Sequence, residues 1–116
     1  MALRIVNLEE GFPSREEALQ QLASALARAK KDGVTILKVI HGYGSTGTGG
    51  ILRPVVRNFL RQQKEAGMIA LFVNGESFSS FDARSKQLLA AAPELILDRD
   101  LGSNNKGVTL VLRRSQ

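Results

Sequence analysis

Residues 34–41, VTILKVIH, are apolar and largely β-branched, and they run straight into GYGSTGTGG, five glycines in nine residues (42–50). Beyond the glycines, Leu52, Val55, Val56, Phe59 and Leu60 recur at the helical period until Gly67. A strand, a loop almost free of side chains and an amphipathic helix therefore follow one another without a linker. That succession belongs to a mixed α/β domain rather than to a bundle or an all-β sandwich. Pro54 fits a helix that begins near Ile51, because the amides of a first turn have no intrahelical acceptor.

The flanking sequence continues the alternation. LRIVNL (3–8) reads as a strand. Ser14 followed by Glu17 forms a capping box, and the helix it opens places Ala18, Leu19, Leu22, Ala23, Leu26 and Ala29 on one face before stopping at Gly33. MIALFVN (68–74) is apolar enough for a central strand. Ser80 to about Ala92 reads as a shorter helix ended by Pro93. LILD (95–98) and VTLVLR (108–113) read as two further strands joined by the turn-rich DLGSNNKG. The expectation is a single domain over residues 1–116, a two-layer α/β sandwich with a mixed sheet and the order β-α-β-α-β-α-β-β.

Composition narrows the function classes. Cysteine is absent, which removes disulfides and thiolate metal sites and suits the reducing cytoplasm. One histidine leaves a structural zinc site short of ligands. MALRIVNLEE lacks the basic segment and apolar run of a signal peptide, and no stretch of about 18 apolar residues spans a membrane. Sixteen Lys and Arg against eleven Asp and Glu give a formal charge of +5. Such an excess favours a polyanionic partner, although charge alone suits a merely soluble basic protein equally well.

The glycine loop has the geometry that receives anions. Bare glycines let a phosphate reach backbone amides, and the following helix start adds partial positive charge. Gly42, Gly44 and Gly47 satisfy G-x-G-x-x-G, but six residues separate Gly44 from Ile51, whereas the dinucleotide fingerprint opens its helix almost at once. A chain of this length also cannot hold two mononucleotide-binding halves. A phosphate-loop NTPase needs Gly-Lys-Ser/Thr where this chain has Gly49, Gly50 and Ile51.

IHGYGSTGTGGILRPVVRNFL resembles the second signature of the Smr (small MutS-related) domain: a strand ending in His-Gly-x-Gly, a Gly/Thr-rich loop, and a helix opening with Leu-Arg. His41, Gly42, Gly44, Gly47, Leu52 and Arg53 carry the likeness in order. SREEAL at the first helix and the closing GVTLVLR are also similar to the family's. The resemblance implies an α/β sandwich that binds DNA or RNA, often with nicking or endonuclease activity, occurring alone or as a terminal domain of mismatch-repair or anti-recombination proteins. Two departures stand out. Family members end their first strand in Leu-Asp-x-His-Gly, whereas this chain has Leu8-Glu9-Glu10-Gly11 and no second histidine. A segment from about Ser77 to Pro93 also intervenes where a minimal Smr domain turns directly into its last strand.

The candidate phosphate-binding set is therefore His41, Gly42, Tyr43, Gly44, Gly47, Gly49, Gly50, Arg53 and Arg57. His41 can serve as an acid or base, contact a phosphate, or brace the loop through a backbone carbonyl; the loop and the resemblance favour contact. Arg53, Arg57, Arg61 and Lys64 recur every three or four positions, and form either a backbone track for nucleic acid or a solvated helix face. Tyr43 can stack on a base. Glu9 and Glu10 can complete an acid–base pair with His41 or hold a divalent cation, although strand-end carboxylates are ordinarily just solvated. No residue set is assigned to a resident metal. Three functions compete: a nucleic-acid-binding domain, a structure-selective DNA or RNA nicking endonuclease, and a protein-interaction module on the same fold. The altered first motif predicts binding with weak or absent cleavage.

Overall fold

Ser14 starts the first helix as its sequence demands. Its Oγ accepts from the Glu17 amide at 3.1 Å, while the Ser14 amide donates to Glu17 Oε1 at 2.8 Å, a reciprocal cap worth about 1 kcal/mol. The computed structural model, which describes residues 2–11, 13–42 and 49–114, carries this helix, α1, over Arg15–Asp32 and ends it at Gly33 in the left-handed conformation, φ 71°. β1 (Leu3–Asn7) precedes it; β2 (Ile36–Ile40), α2 (Gly49–Glu65), β3 (Ile69–Asn74), α3 (Ala83–Ala91) and β4 (Val108–Arg113) follow. α2 begins two residues earlier than Ile51, so Pro54 lies past the first turn. Asp82 caps α3, its Oδ2 accepting from the Ser85 amide at 2.8 Å, so this helix is shorter than Ser80–Ala92.

The four strands form one mixed sheet in the order β1-β2-β4-β3. β1 runs parallel to β2, and β4 lies antiparallel between β2 and β3. Alternation along each strand divides the apolar residues between two faces. Leu37, Val39 and Val111 pack against Ala18, Leu22 and Ala29 of α1 and Leu52, Val56 and Leu60 of α2. Ile36, Leu71, Val73 and Leu110 pack against Phe78, Leu88, Ala92 and Leu95. The result is an α/β sandwich whose second face is patched by α3 and short 3-10 turns.

One expected strand is absent. LILD belongs to a 3-10 helix, Pro93–Leu97. Leu95 is buried there, whereas Ile96 and Leu97 are 59% and 86% exposed, a pattern no sheet strand of this face would show. Pro93 fixes φ at the start of the turn, and the chain then turns so that Asp98 and Asp100 reach Lys38 in mid-sheet. Lys38 Nζ bonds Asp98 Oδ1 at 2.9 Å and pairs with Asp100. Lys38 and Asp100 are each only 5% exposed, so removing the lysine would strand two carboxylates and cost on the order of 3–5 kcal/mol. The order is thus β-α-β-α-β-α-β.

β3 turns at Gly75, which opens a 3-10 turn, Gly75–Ser77. A Cβ at Gly75 would lie 2.0 Å from the Asn105 carbonyl oxygen and 2.6 Å from Val108 Cγ2. Backbone cannot yield cheaply at such a contact. Gly102, by contrast, has a φ of 77° and nothing within 4 Å of a built Cβ. Gly75→Ala is expected to cost at least ~3 kcal/mol in urea denaturation, and Gly102→Ala about 1 kcal/mol from left-handed strain alone. Equal losses would contradict this account of the crossing.

Candidate functional site

Parallel pairing brings the ends of β1 and β2 out at one edge of the sheet. Asn7 pairs with Ile40, and the Leu8 amide extends the ladder to the Ile40 carbonyl at 2.8 Å. Glu9 and Glu10 follow β1 at this end of the sheet, and both are exposed. Because β4 runs antiparallel to β2, the residues just before β4 must lie beside those just after β2. The amides of His41 and Gly42 both donate to the Gly107 carbonyl, each at 3.0 Å. Gly42 takes up that turn with a φ of 75°.

His41 is fully buried at the root of the loop. Its Nδ1 lies 2.7 Å from the Gly42 carbonyl oxygen, and its Nε2 lies 2.9 Å from Thr109 Oγ1. Arg57 Nε donates to the same Thr109 oxygen at 3.1 Å. One assignment of protons satisfies every member: Arg57 N–H to Thr109, the Thr109 hydroxyl to Nε2, and Nδ1–H to the Gly42 carbonyl. This requires a neutral imidazole. Burial, first, and the nearby Arg57 and Arg53 charges draw its pKa from 6.5 down to about 4, against the raising pull of the Gly42 carbonyl and Glu76.

Arg57 does not lie on the outer track that its spacing with Arg53 and Arg61 suggested. Its two terminal nitrogens grip Glu76 at 2.9 and 2.8 Å, and Nη2 also approaches the carbonyls of Val108 and Lys106 at 3.3 and 3.4 Å. Burial would raise the Glu76 pKa, but the Arg57 hydrogen bonds and charge outweigh it and hold the carboxyl below its ordinary value. The guanidinium is thus spent on protein acceptors and locks α2 to β4 and to the turn that follows β3. His41 likewise does not face a shared cleft with Arg53. Of its three readings, the brace through a backbone carbonyl is the one this geometry provides.

What remains open to a ligand is a shallow depression beside the start of α2. Arg53, Asn58 and Arg61 of α2 line it together with Lys106 from the loop before β4, and the Arg57–Glu76 pair forms its floor. Glu76 is neutralised by Arg57, so Arg53, Arg61 and Lys106 leave the depression positive. Gly49 and Gly50 form the first residues of α2; Tyr43, Gly44 and Gly47 lie outside the described residues. Lys106 was not singled out from sequence. The signal for it is topological: a lysine two residues before the strand that returns beside β2. Among the described residues, no group of three or more His, Asp or Glu side chains could hold a metal ion, and Glu9 and Glu10 gain no third donor. No helix among them is long and apolar enough to cross a membrane.

The neutral imidazole has a measurable consequence. The unfolded chain takes up a proton on this histidine below about pH 6.5, whereas the native fold resists until about pH 4. Its stabilising contribution is complete above pH 6.5 and is lost as the pH falls from 6.5 towards 4, by about 3 kcal/mol in all. Chemical denaturation between pH 7.5 and 5 is expected to show this loss, and His41→Phe to flatten it. Since the chain has one histidine, its imidazole NMR signals report directly; a midpoint near 6.5 would refute the hydrogen-bond chain.

With this geometry in place, comparison with known proteins is informative. A family model described as the Smr domain matches residues 11–76, more than half of the chain. The match spans α1, β2, the glycine loop, α2 and β3; Glu9 and Glu10 precede it, and α3 and β4 follow it. The crystal structure of the Smr domain of Thermus thermophilus MutS2 is similar to this chain with a TM-score of 0.56 and 24% identity, covering 98% of this chain and 99% of that one. No curated protein matches. The strand–glycine loop–helix unit and the family match together show that the chain belongs to the Smr domain family.

Proposed function

We propose that this chain binds nucleic acid, gripping the phosphate backbone between the start of α2 and the loop that precedes β4. The observation that carries this reading is the convergence of Arg53, Arg61 and Lys106 on one depression whose single carboxylate, Glu76, is already neutralised. Arg53 lies one helical turn on from Gly49, the first residue of α2, and the start of a long helix favours an anion. Asn58, which accepts from Arg61 at 3.1 Å, orients one of these cations. Glycines 44 and 47 would bring further backbone amides to the phosphates, and Tyr43 would stack on a base. His41 and Arg57 act behind this surface: they hold the loop root and the helix in register rather than touching the ligand.

Contacts of this kind read phosphates and not bases, so binding should be weakly sequence-selective and should fall steeply with salt. Cleavage is expected to be weak or absent. Phosphodiester hydrolysis needs a positioned nucleophile and groups that move protons. Here the imidazole is buried with both nitrogens occupied, and Glu9 and Glu10 are solvated. Arg53 and the loop amides can stabilise phosphoryl charge, which serves binding by itself.

Replacing Arg53, Arg61 and Lys106 together with alanine should weaken binding to all sequences alike. It should also flatten the plot of log affinity against log salt by about 2 to 3 slope units, near 0.9 per lost duplex phosphate contact. A panel of single-stranded, duplex and branched DNA and RNA, assayed at low and moderate salt, supplies the measurement. No low-salt binding to any member would favour the protein-interaction module instead. Robust nicking by purified protein that survives His41→Ala would show that cleavage is carried by other residues.

A further inference from the structure

A second surface lies at the opposite end of the sheet. β2 and β3 begin there, since Ile36 pairs with Leu112 and Ile69 with Arg113 at the end of β4. Between the C-terminal halves of α1 and α2 the chain leaves a groove of about 520 Å³, within the range of ligand-binding clefts. Ala23, Leu26 and Ala27 form one wall and Phe59 of α2 the other. Two alanines on one helical face leave room for large side chains from outside. Met68, 59% exposed, closes one end.

The rim is charged with one sign. Lys30, Arg113 and Arg114 line the groove, and among the described residues no Asp or Glu does. Arg113 Nε donates to the Val34 carbonyl at 2.6 Å and Arg114 Nη1 to the Gly67 carbonyl at 3.2 Å, so backbone contacts fix both guanidiniums at the rim. Among the described residues, no carboxylate pairs with any of the three. We infer that this groove docks an amphipathic helix of a partner protein, two apolar side chains seated on Ala23 and Ala27 and flanking Asp or Glu residues meeting Lys30, Arg113 and Arg114. Charge complementarity selects the acidic flank, since a basic helix would meet three like charges. The wall from Ala23 to Lys30 rises about 10 Å, room for roughly two helical turns, and the i, i+3, i+4 spacing of Ala23, Leu26 and Ala27 matches how helix grooves accept such anchors. This surface is separate from the basic depression beside α2, so one chain can hold nucleic acid at one pole and a protein at the other.

The test uses the full chain and two synthetic peptides of about three turns, each with leucines at helical spacing, one flanked by glutamates and the other by lysines. The glutamate peptide is expected to shift the amide signals of Ala23, Ala27, Gln63, Gly67 and Met68 while leaving Arg53, Arg61 and Lys106 unmoved. The lysine peptide should bind at least about tenfold more weakly. Ala27→Glu, at an exposed helix position, should weaken the glutamate peptide about tenfold with nucleic-acid affinity unchanged; Lys30→Glu provides the same readout should that variant fold poorly. Failure of the glutamate peptide to bind, equal binding of both peptides, or a nucleic acid or anionic vesicle shifting these same amides would overturn the proposal.

Discussion

Everything at the loop end of this molecule hangs on the side chain of Arg57. From one position on α2 it reaches Glu76 in the turn after β3, Thr109 on β4 and the backbone carbonyls before it. Through Thr109 it also reaches His41 at the end of β2. Three strands that have no loop in common are thereby joined to the helix that follows the glycines. A half-buried, bidentate arginine loses little by being held, because its fork is already planar and each nitrogen finds an acceptor. Its loss would leave Glu76 and Thr109 without their partner in a largely buried setting, where an unmatched group is costly.

This network changes what the glycine loop can be. Glycines gain backbone access to a ligand at the expense of entropy, and a loop of this composition needs a rigid root if its amides are to be presented together. The two hydrogen bonds from the His41 and Gly42 amides to the Gly107 carbonyl provide that root, and the buried imidazole locks it. The chemistry is divided accordingly. Neutral and paired groups sit at the root of the loop, and Arg53, Arg61 and Lys106 line the depression beside α2.

Much of the fold was legible in the sequence because its signals are local. The Ser14–Glu17 box, the left-handed stop at Gly33 and the apolar runs at 34–41 and 68–74 each depend on neighbours in the chain. LILD failed as a strand because three apolar residues do not declare a period, and tertiary contacts decide: Leu95 is the single buried anchor of a 3-10 turn. The site was half legible. Helical spacing placed Arg53, Arg57 and Arg61 in one row, but spacing cannot say which member of a row finds an acceptor across the sheet. Thr109 and Glu76 decide it for Arg57, and both lie far away in sequence. Lys106 escaped for the complementary reason: only the antiparallel insertion of β4 between β2 and β3 brings it beside Arg53 and Arg61 of α2.

The central claim is that the ligand surface is the front of this assembly, with His41 and Arg57 behind it. Amide and side-chain NMR of the labelled protein, titrated with a short oligonucleotide at low salt, tests it most directly. The account predicts shifts at Gly42, Gly49 to Arg53, Asn58, Arg61 and Lys106, with the His41 imidazole still neutral and hydrogen-bonded when the site is saturated. Perturbation centred on Gly67 and Met68, or release of the imidazole from Thr109 on binding, would contradict it.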